Sequence, residues 1–151
     1  MDKYEKIVYD YFNSKGKKSI CIRFQDTLDA SKRVDGYRYN PAKLVVMDKN
    51  PSDFIITDNG ETYYAEVKHT QNTSHISSSL LRQQKMYRER ILACGGKYMY
   101  YIYAEDIHQW YAIPGEFFVD KGDVKWKEVG KYMINYLRSL RWINQMFFQK
   151  S

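Results

Sequence analysis

Pro51-Ser52-Asp53-Phe54-Ile55-Ile56-Thr57-Asp58-Asn59-Gly60-Glu61-Thr62-Tyr63-Tyr64-Ala65-Glu66-Val67-Lys68 is the stretch on which the reading of this chain turns. Two runs rich in β-branched and aromatic residues, 54–57 and 62–68, flank an Asn-Gly pair. Asn-Gly between such runs predicts a two-residue hairpin loop, because both positions must adopt positive φ at little steric cost. With Asn59 and Gly60 as the loop, Asp58 faces Glu61, and counting outward places Asp53 opposite Glu66. Side chains alternate along a strand, so Asp53, Glu66 and Lys68 share one face.

Two carboxylates set against each other repel and weaken a sheet that has no use for them. A divalent cation removes that penalty and favours both ionised forms. The pattern therefore predicts a metal site of hard oxygen ligands, Asp53 and Glu66, joined by the backbone carbonyl of Val67. Lys68, one pleat further on, can orient a water and offset developing charge. Metal-assisted phosphodiester hydrolysis needs this set of parts.

Around this centre the chain is basic and aromatic. It has 151 residues, with 24 Lys and Arg against 18 Asp and Glu, a formal charge of +6. That balance predicts a polyanionic partner. Tyrosine alone supplies 15 residues, which suits strands and stacking surfaces. No apolar run reaches the ~20 residues of a membrane span, and the start lacks the plan of a secretory leader, so the expected location is cytoplasmic, with no membrane partner. Cys21 and Cys94 have no ligand-spaced neighbours, which predicts reduced thiols and no zinc.

Apolar residues at Tyr4, Ile7, Val8, Tyr11 and Phe12 predict a first helix over 2–14. A strand follows at 19–24. The charged excursion 25–50 carries Lys32, Arg33 and Arg38 and reads either as a solvated loop or as a DNA-contacting arm. A second helix is predicted over 77–94, its stripe formed by Leu80, Tyr87 and Ile91, with Gln84 inside it. Strands are predicted at 97–104 and 109–113. A C-terminal helix is predicted over 124–148, where Val129, Met133, Tyr136, Leu140, Ile143 and Phe147 alternate spacings of four and three.

Pro51-Ser52-Asp53 followed by Glu66-Val67-Lys68 resembles the PD-(D/E)XK nuclease signature. Within that superfamily the stretch 51–118 resembles the RecU-type and archaeal Holliday-junction resolvases, through Lys68-His69-Thr70, Gln84 and Gly95-Gly96 before an aromatic strand. Serine stands between Pro51 and Asp53 where the usual pattern has none. The resemblance implies metal ligation by Asp53 and Glu66, a catalytic Lys68 and a polar contact from Gln84. It also implies an acidic residue from the first helix, matched by Glu5, although Asp2-x-x-Glu5 equally matches a helix capping box.

The fold expected is α/β, a restriction-endonuclease-like single domain spanning 1–151 with a mixed central β-sheet flanked by α-helices. The function expected is a Mg²⁺-dependent DNA endonuclease, with Mn²⁺ able to substitute, acting on Holliday junctions. One alternative is a sequence-specific restriction or homing-type endonuclease with the same site; the other is a non-catalytic nucleic-acid-binding module. The partners expected are DNA and further copies of the chain, as a homodimer or tetramer, in a bacterial, phage or mobile-element setting. DNA-backbone contacts are expected from Lys17, Lys18, Lys32, Arg33, Arg38, His75, Arg82, Lys85, Arg88 and Arg90, those on the second helix equally readable as its solvated face. His69 is expected to pack on the opposite strand face.

Overall fold

A computed structural model describes residues 1–25 and 50–137. The hairpin forms as its turn chemistry dictates. Strands β2 (Phe54–Asp58) and β3 (Glu61–Thr70) pair from Asp58 with Glu61 to Phe54 with Ala65. Asn59 and Gly60 take φ of 49° and 85°, the left-handed pair that a tight hairpin loop demands.

This hairpin seeds a six-stranded mixed sheet. Strand β1 (Ser19–Arg23) runs antiparallel along β2 as one edge. Across β3 lies β5 (Tyr98–Ala104), in parallel, then β6 (Gln109–Pro114) and the short β8 (Met133–Ile134), both antiparallel. A parallel pair needs a crossover. Residues 71–97 provide it, and within them β4 (His75–Ile76) pairs with β7 (Val124–Lys125) as a separate two-stranded ribbon.

The sheet has two distinct faces. Helix α1 (Lys3–Asn13), capped by Asp2 Oδ1 accepting from the Glu5 N–H at 2.8 Å, lays Tyr4, Val8 and Phe12 on Cys21, Phe54, Ile56, Ala65, Val67 and Tyr101. The other face carries Tyr98, Tyr100, Ile102, Tyr111 and Ile113 under a 3₁₀ run (Ser78–Gln84) and helix α2 (Lys85–Ala93). At the β1 edge, Asn13 closes the open backbone: its side chain donates to the Cys21 carbonyl and accepts from the Cys21 N–H. That guards an otherwise unpaired edge strand.

Two helices depart from expectation. The segment predicted as one helix over 77–94 is 3₁₀ in its first half. There, Ser77 Oγ accepts from the Ser79 N–H and Asp123 Oδ1 accepts from the Ser78 N–H, holding a tighter winding. Three residues per turn instead of 3.6 rotates the inward face. Leu81 and Arg88 are buried, while Leu80, Tyr87 and Ile91 are half-buried.

The helix predicted over 124–148 does not form over 124–137. That stretch is β7, a 3₁₀ run (Trp126–Tyr132) and β8. Val124 pairs with Ile76, and Ile134 and Met133 pair with Trp110 and Tyr111. Ladder bonds to two existing strands outweigh the apolar spacing, and Gly130 weakens a continuous helix. Val129 is buried as the seam predicted, but Met133 and Tyr136 are exposed. Residues 138–148 of that seam, and 26–49 of the charged excursion, lie outside the described residues.

Candidate active site

Strands β1 and β2 begin and end near Arg23 and Phe54, whereas β3 runs on to Thr70. Beyond the end of β1 and before the start of β2 a cleft of about 640 Å³ opens. Its walls include Glu5, Asp53, Glu66, Val67, Lys68 and Gln84, so every residue nominated for catalysis or metal ligation lines one space. The first turn of α1 reaches it from one side of the sheet, and the end of the 3₁₀ run from the other.

Asp53 lies one residue before β2, outside the ladder. Its Oδ2 accepts from the Val67 N–H at 2.8 Å, which sets its carboxylate beside β3 where the hairpin count placed it. Glu66 is almost wholly buried, and its Oε1 lies 3.9 Å from Lys68 Nζ. Burial first, then a hydrogen bond and the charge of Asp53, hold the Glu66 carboxyl well above the usual carboxylate range, with Lys68 opposing. Glu66 therefore holds its proton near neutral pH until an opposing positive charge is supplied.

Glu5 joins the same field. Burial, then the charges of Asp53 and Asp2, push its carboxyl up to about 7. Asp2 caps α1 by itself, through its own side chain. The Glu5 carboxyl thus faces the cleft while its backbone N–H is the capped group, so the cleft and the cap draw on different atoms of the same residue.

Two buried acceptors in this cleft have no hydrogen-bond partner: Glu66 Oε2 and Gln84 Oε1. Orphaned buried acceptors are uncommon and ask for an explanation. Carboxylate oxygens beside a protonated neighbour, plus an unpaired amide oxygen, form a donor set suited to a hard cation and its water shell. Among the described residues no three His, Cys, Asp or Glu side chains converge into a closed cage. An open site with one or two carboxylates is what Mg²⁺ takes, since it keeps several waters.

The remaining nominees scatter. Arg82 and Lys85 are exposed, flanking Gln83 and Gln84 of the cleft wall. Lys17 and Lys18 lie beside the hairpin loop, where the Asn59 N–H donates to the Lys18 carbonyl, at the far end of β2 from Asp53. His75 lies in β4, its Nδ1 2.7 Å from Ser74 Oγ and its Nε2 3.6 Å from Asp123. Lys32, Arg33 and Arg38 fall outside the described residues, but their segment departs and returns at the cleft: Arg23, Phe24 and Asn50 line it, and Asn50 Nδ2 donates to the Gln25 carbonyl at 2.7 Å.

On sequence, no site role falls to His69 or Gln83, and Arg88 is nominated as a phosphate contact, which its burial contradicts. His69 packs on the α1 face as expected, stacked on Tyr4 at 4.4 Å between centroids, yet it also borders the cleft. Gln83 lines the cleft beside Gln84. Arg88 is buried, its Nη1 donating to Tyr100 at 3.2 Å and its Nε unpartnered. Nothing in the spacing of charged residues on a helix separates a buried arginine from a solvated one, once the helical phase is altered.

No protein-family model matches the chain, and no curated protein matches it. Among solved structures it is similar to that of Archaeoglobus fulgidus Hjc, a Holliday junction resolvase from an archaeal hyperthermophile. The match has 12% sequence identity and a TM-score of 0.52, over 88% of this chain and 93% of that one. The central mixed sheet flanked by helices is therefore the fold shared with this nuclease, the restriction-endonuclease-like arrangement expected from the sequence.

Proposed function

We propose that the chain is a Mg²⁺-dependent DNA endonuclease of the Holliday-junction-resolving kind. The observation that carries this reading is the pairing of Asp53 with buried Glu66 across the mouth of a hairpin, leaving Glu66 Oε2 unpartnered in a cleft shared with Lys68, Gln84 and Glu5. The fold shared with an archaeal resolvase supports it.

Asp53 and Glu66 would hold the ion, helped by the Val67 carbonyl, with Glu5 as a further acid on the cleft wall. When bound, Mg²⁺ supplies Lewis-acid polarisation of the phosphodiester and stabilises charge that develops at phosphorus. Glu66 would give up its proton to act as a ligand beside Asp53. Lys68 orients the attacking water and offsets negative charge on the phosphate. Gln84 Oε1, a buried acceptor without a partner among the described residues, would accept from a water in the cleft. Water adds to phosphorus, one P–O ester bond breaks, and one phosphate end and one hydroxyl end result.

Arg82 and Lys85 would contact phosphates next to the cleft, and Lys17, Lys18 and His75 more distant ones, positioning DNA without reading it. Cutting two strands of a junction calls for two such sites, hence a homodimer or tetramer. The pinned neck at Gln25 and Asn50 favours a second reading, in which residues 26–49 serve a restriction or homing-type enzyme by reading a groove.

A cleavage assay with and without Mg²⁺, comparing a four-way junction with linear duplex, separates these readings. Metal-dependent junction cutting, lost in Asp53→Ala, is expected. Preference for one linear sequence would transfer the assignment to the restriction or homing type. Binding without cleavage would mark a non-catalytic module, and cutting that is unaffected by Asp53→Ala would overturn the site.

A further inference from the structure

We propose that Tyr98, together with Ser52, is a positioning residue that sets Asp53 against Glu66 by clamping the Pro51–Ser52–Asp53 turn; the inference rests on the metal-site reading above. Asp53 precedes β2, so the cross-strand ladder does not fix it. Its location depends on individual bonds. The Phe24 N–H donates to the Asp53 carbonyl at 3.1 Å, and Ser52 Oγ, fully buried, donates to the Phe54 carbonyl at 2.7 Å. Beside the Val67 N–H on Asp53 Oδ2, a further tie comes from a strand two places away: the Tyr98 hydroxyl donates to the Pro51 carbonyl at 2.6 Å.

Tyr98 is well suited to serve as a fixed point. It is 1% exposed, near Tyr64 (centroids 6.5 Å apart) and Tyr100 (5.3 Å). Its backbone belongs to β5, which pairs in parallel with β3, so Tyr64 meets Tyr98 and Glu66 meets Tyr100. The bond to Pro51 thus references the turn carrying Asp53 to the same rigid pair of strands that carries Glu66 and Lys68. Gly115 lets the chain close over this residue, since a Cβ there would lie 3.0 Å from Tyr98 Cβ. A cation bridging two carboxylates is sensitive to their separation, and polar partners that orient ligands typically govern ~10–100-fold of metal affinity.

The test is Mg²⁺ titration by calorimetry of full-length Tyr98→Phe, with cleavage rate followed across Mg²⁺ concentration. Tyr101→Phe is the matched control: Tyr101 is 2% exposed on the same strand, but its hydroxyl meets Tyr63 at 2.8 Å on the opposite face. Tyr98→Phe is expected to raise the Mg²⁺ needed for half-saturation by about 10-fold, with the cleavage rate recovering at high Mg²⁺. Tyr101→Phe is expected to lower thermal stability without changing that concentration. Equal Mg²⁺ affinity in wild type, Tyr98→Phe and Tyr101→Phe overturns the positioning role and leaves the metal site standing. If Tyr98→Phe does not fold, Ser52→Ala carries the same expectation and the same overturning result. A wild-type protein that binds no divalent cation overturns both the metal site and this inference.

Discussion

The two faces of the sheet are built by different rules. Under α1 the contact is apolar and aromatic: Val8, Phe12, Phe54, Ile56 and Ala65 are all essentially inaccessible, and Phe12 meets Tyr101. On the α2 side the interface buries Glu66 of the sheet and Arg88 of α2, and three of the four buried unpartnered side-chain atoms among the described residues belong to Glu66, Gln84 and Arg88. Burying polar groups without partners costs stability. Both faces bury apolar cores, and the α2 side also gives up stability at the unpartnered polar groups of the proposed site.

Glu66→Gln sharpens this contrast most. It removes a ligand and the acid–acid conflict together, so cleavage falls below detection while the metal-free protein gains thermal stability, roughly 2–4 °C for each kcal/mol regained in a chain of this size. Loss of stability in that variant would break the comparison. Next comes Lys68→Met, which retains the aliphatic stem; single-turnover cleavage is expected to fall ~10²–10⁴-fold with Mg²⁺ binding retained. On the dry face, Phe12→Ala is expected to cost about 3–5 kcal/mol by denaturant unfolding, with Mg²⁺ affinity of the folded fraction unchanged.

The smallest expected effect is one of pH. Carboxyls whose native pKa is raised stabilise the fold fully below their unfolded value and lose that contribution as pH rises through the native one. Glu5, pushed to about 7, and Glu66, raised further by burial, both follow this sign. Melting of the metal-free protein should therefore soften from about pH 4.5 through pH 7 and beyond, and saturating Mg²⁺ should flatten the slope. A metal-free protein that grows steadily more stable over that window would contradict the buried acid pair.

The placement of Asp53 beside Glu66 was legible because local chemistry fixes it. Asn59-Gly60 sets the turn, the turn sets the register, and the register sets Asp53 beside Glu66, with no long-range knowledge required. Helix α1 was legible from its spacing, and its first turn brought Glu5 to the cleft. Less accessible were features decided by distant partners. The spacing of Val129, Met133 and Tyr136 is helical, yet β4 and β6 recruit 124–125 and 133–134 into ladders. Asp123 helps to hold the start of the 3₁₀ run, and the changed phase buries Arg88 in place of Tyr87. Tyr98 reads in sequence as one aromatic among many on a buried strand; its bond to Pro51 spans 47 residues.

If Glu66 keeps its proton until a cation replaces it, binding must release that proton. Calorimetric titration of the protein with Mg²⁺ near neutral pH, repeated in two buffers of different ionisation enthalpy, measures the release directly. The account predicts about one proton released per ion bound, and neither binding nor release in Asp53→Asn. Mg²⁺ binding that releases no proton, or that survives unchanged in Asp53→Asn, would contradict it.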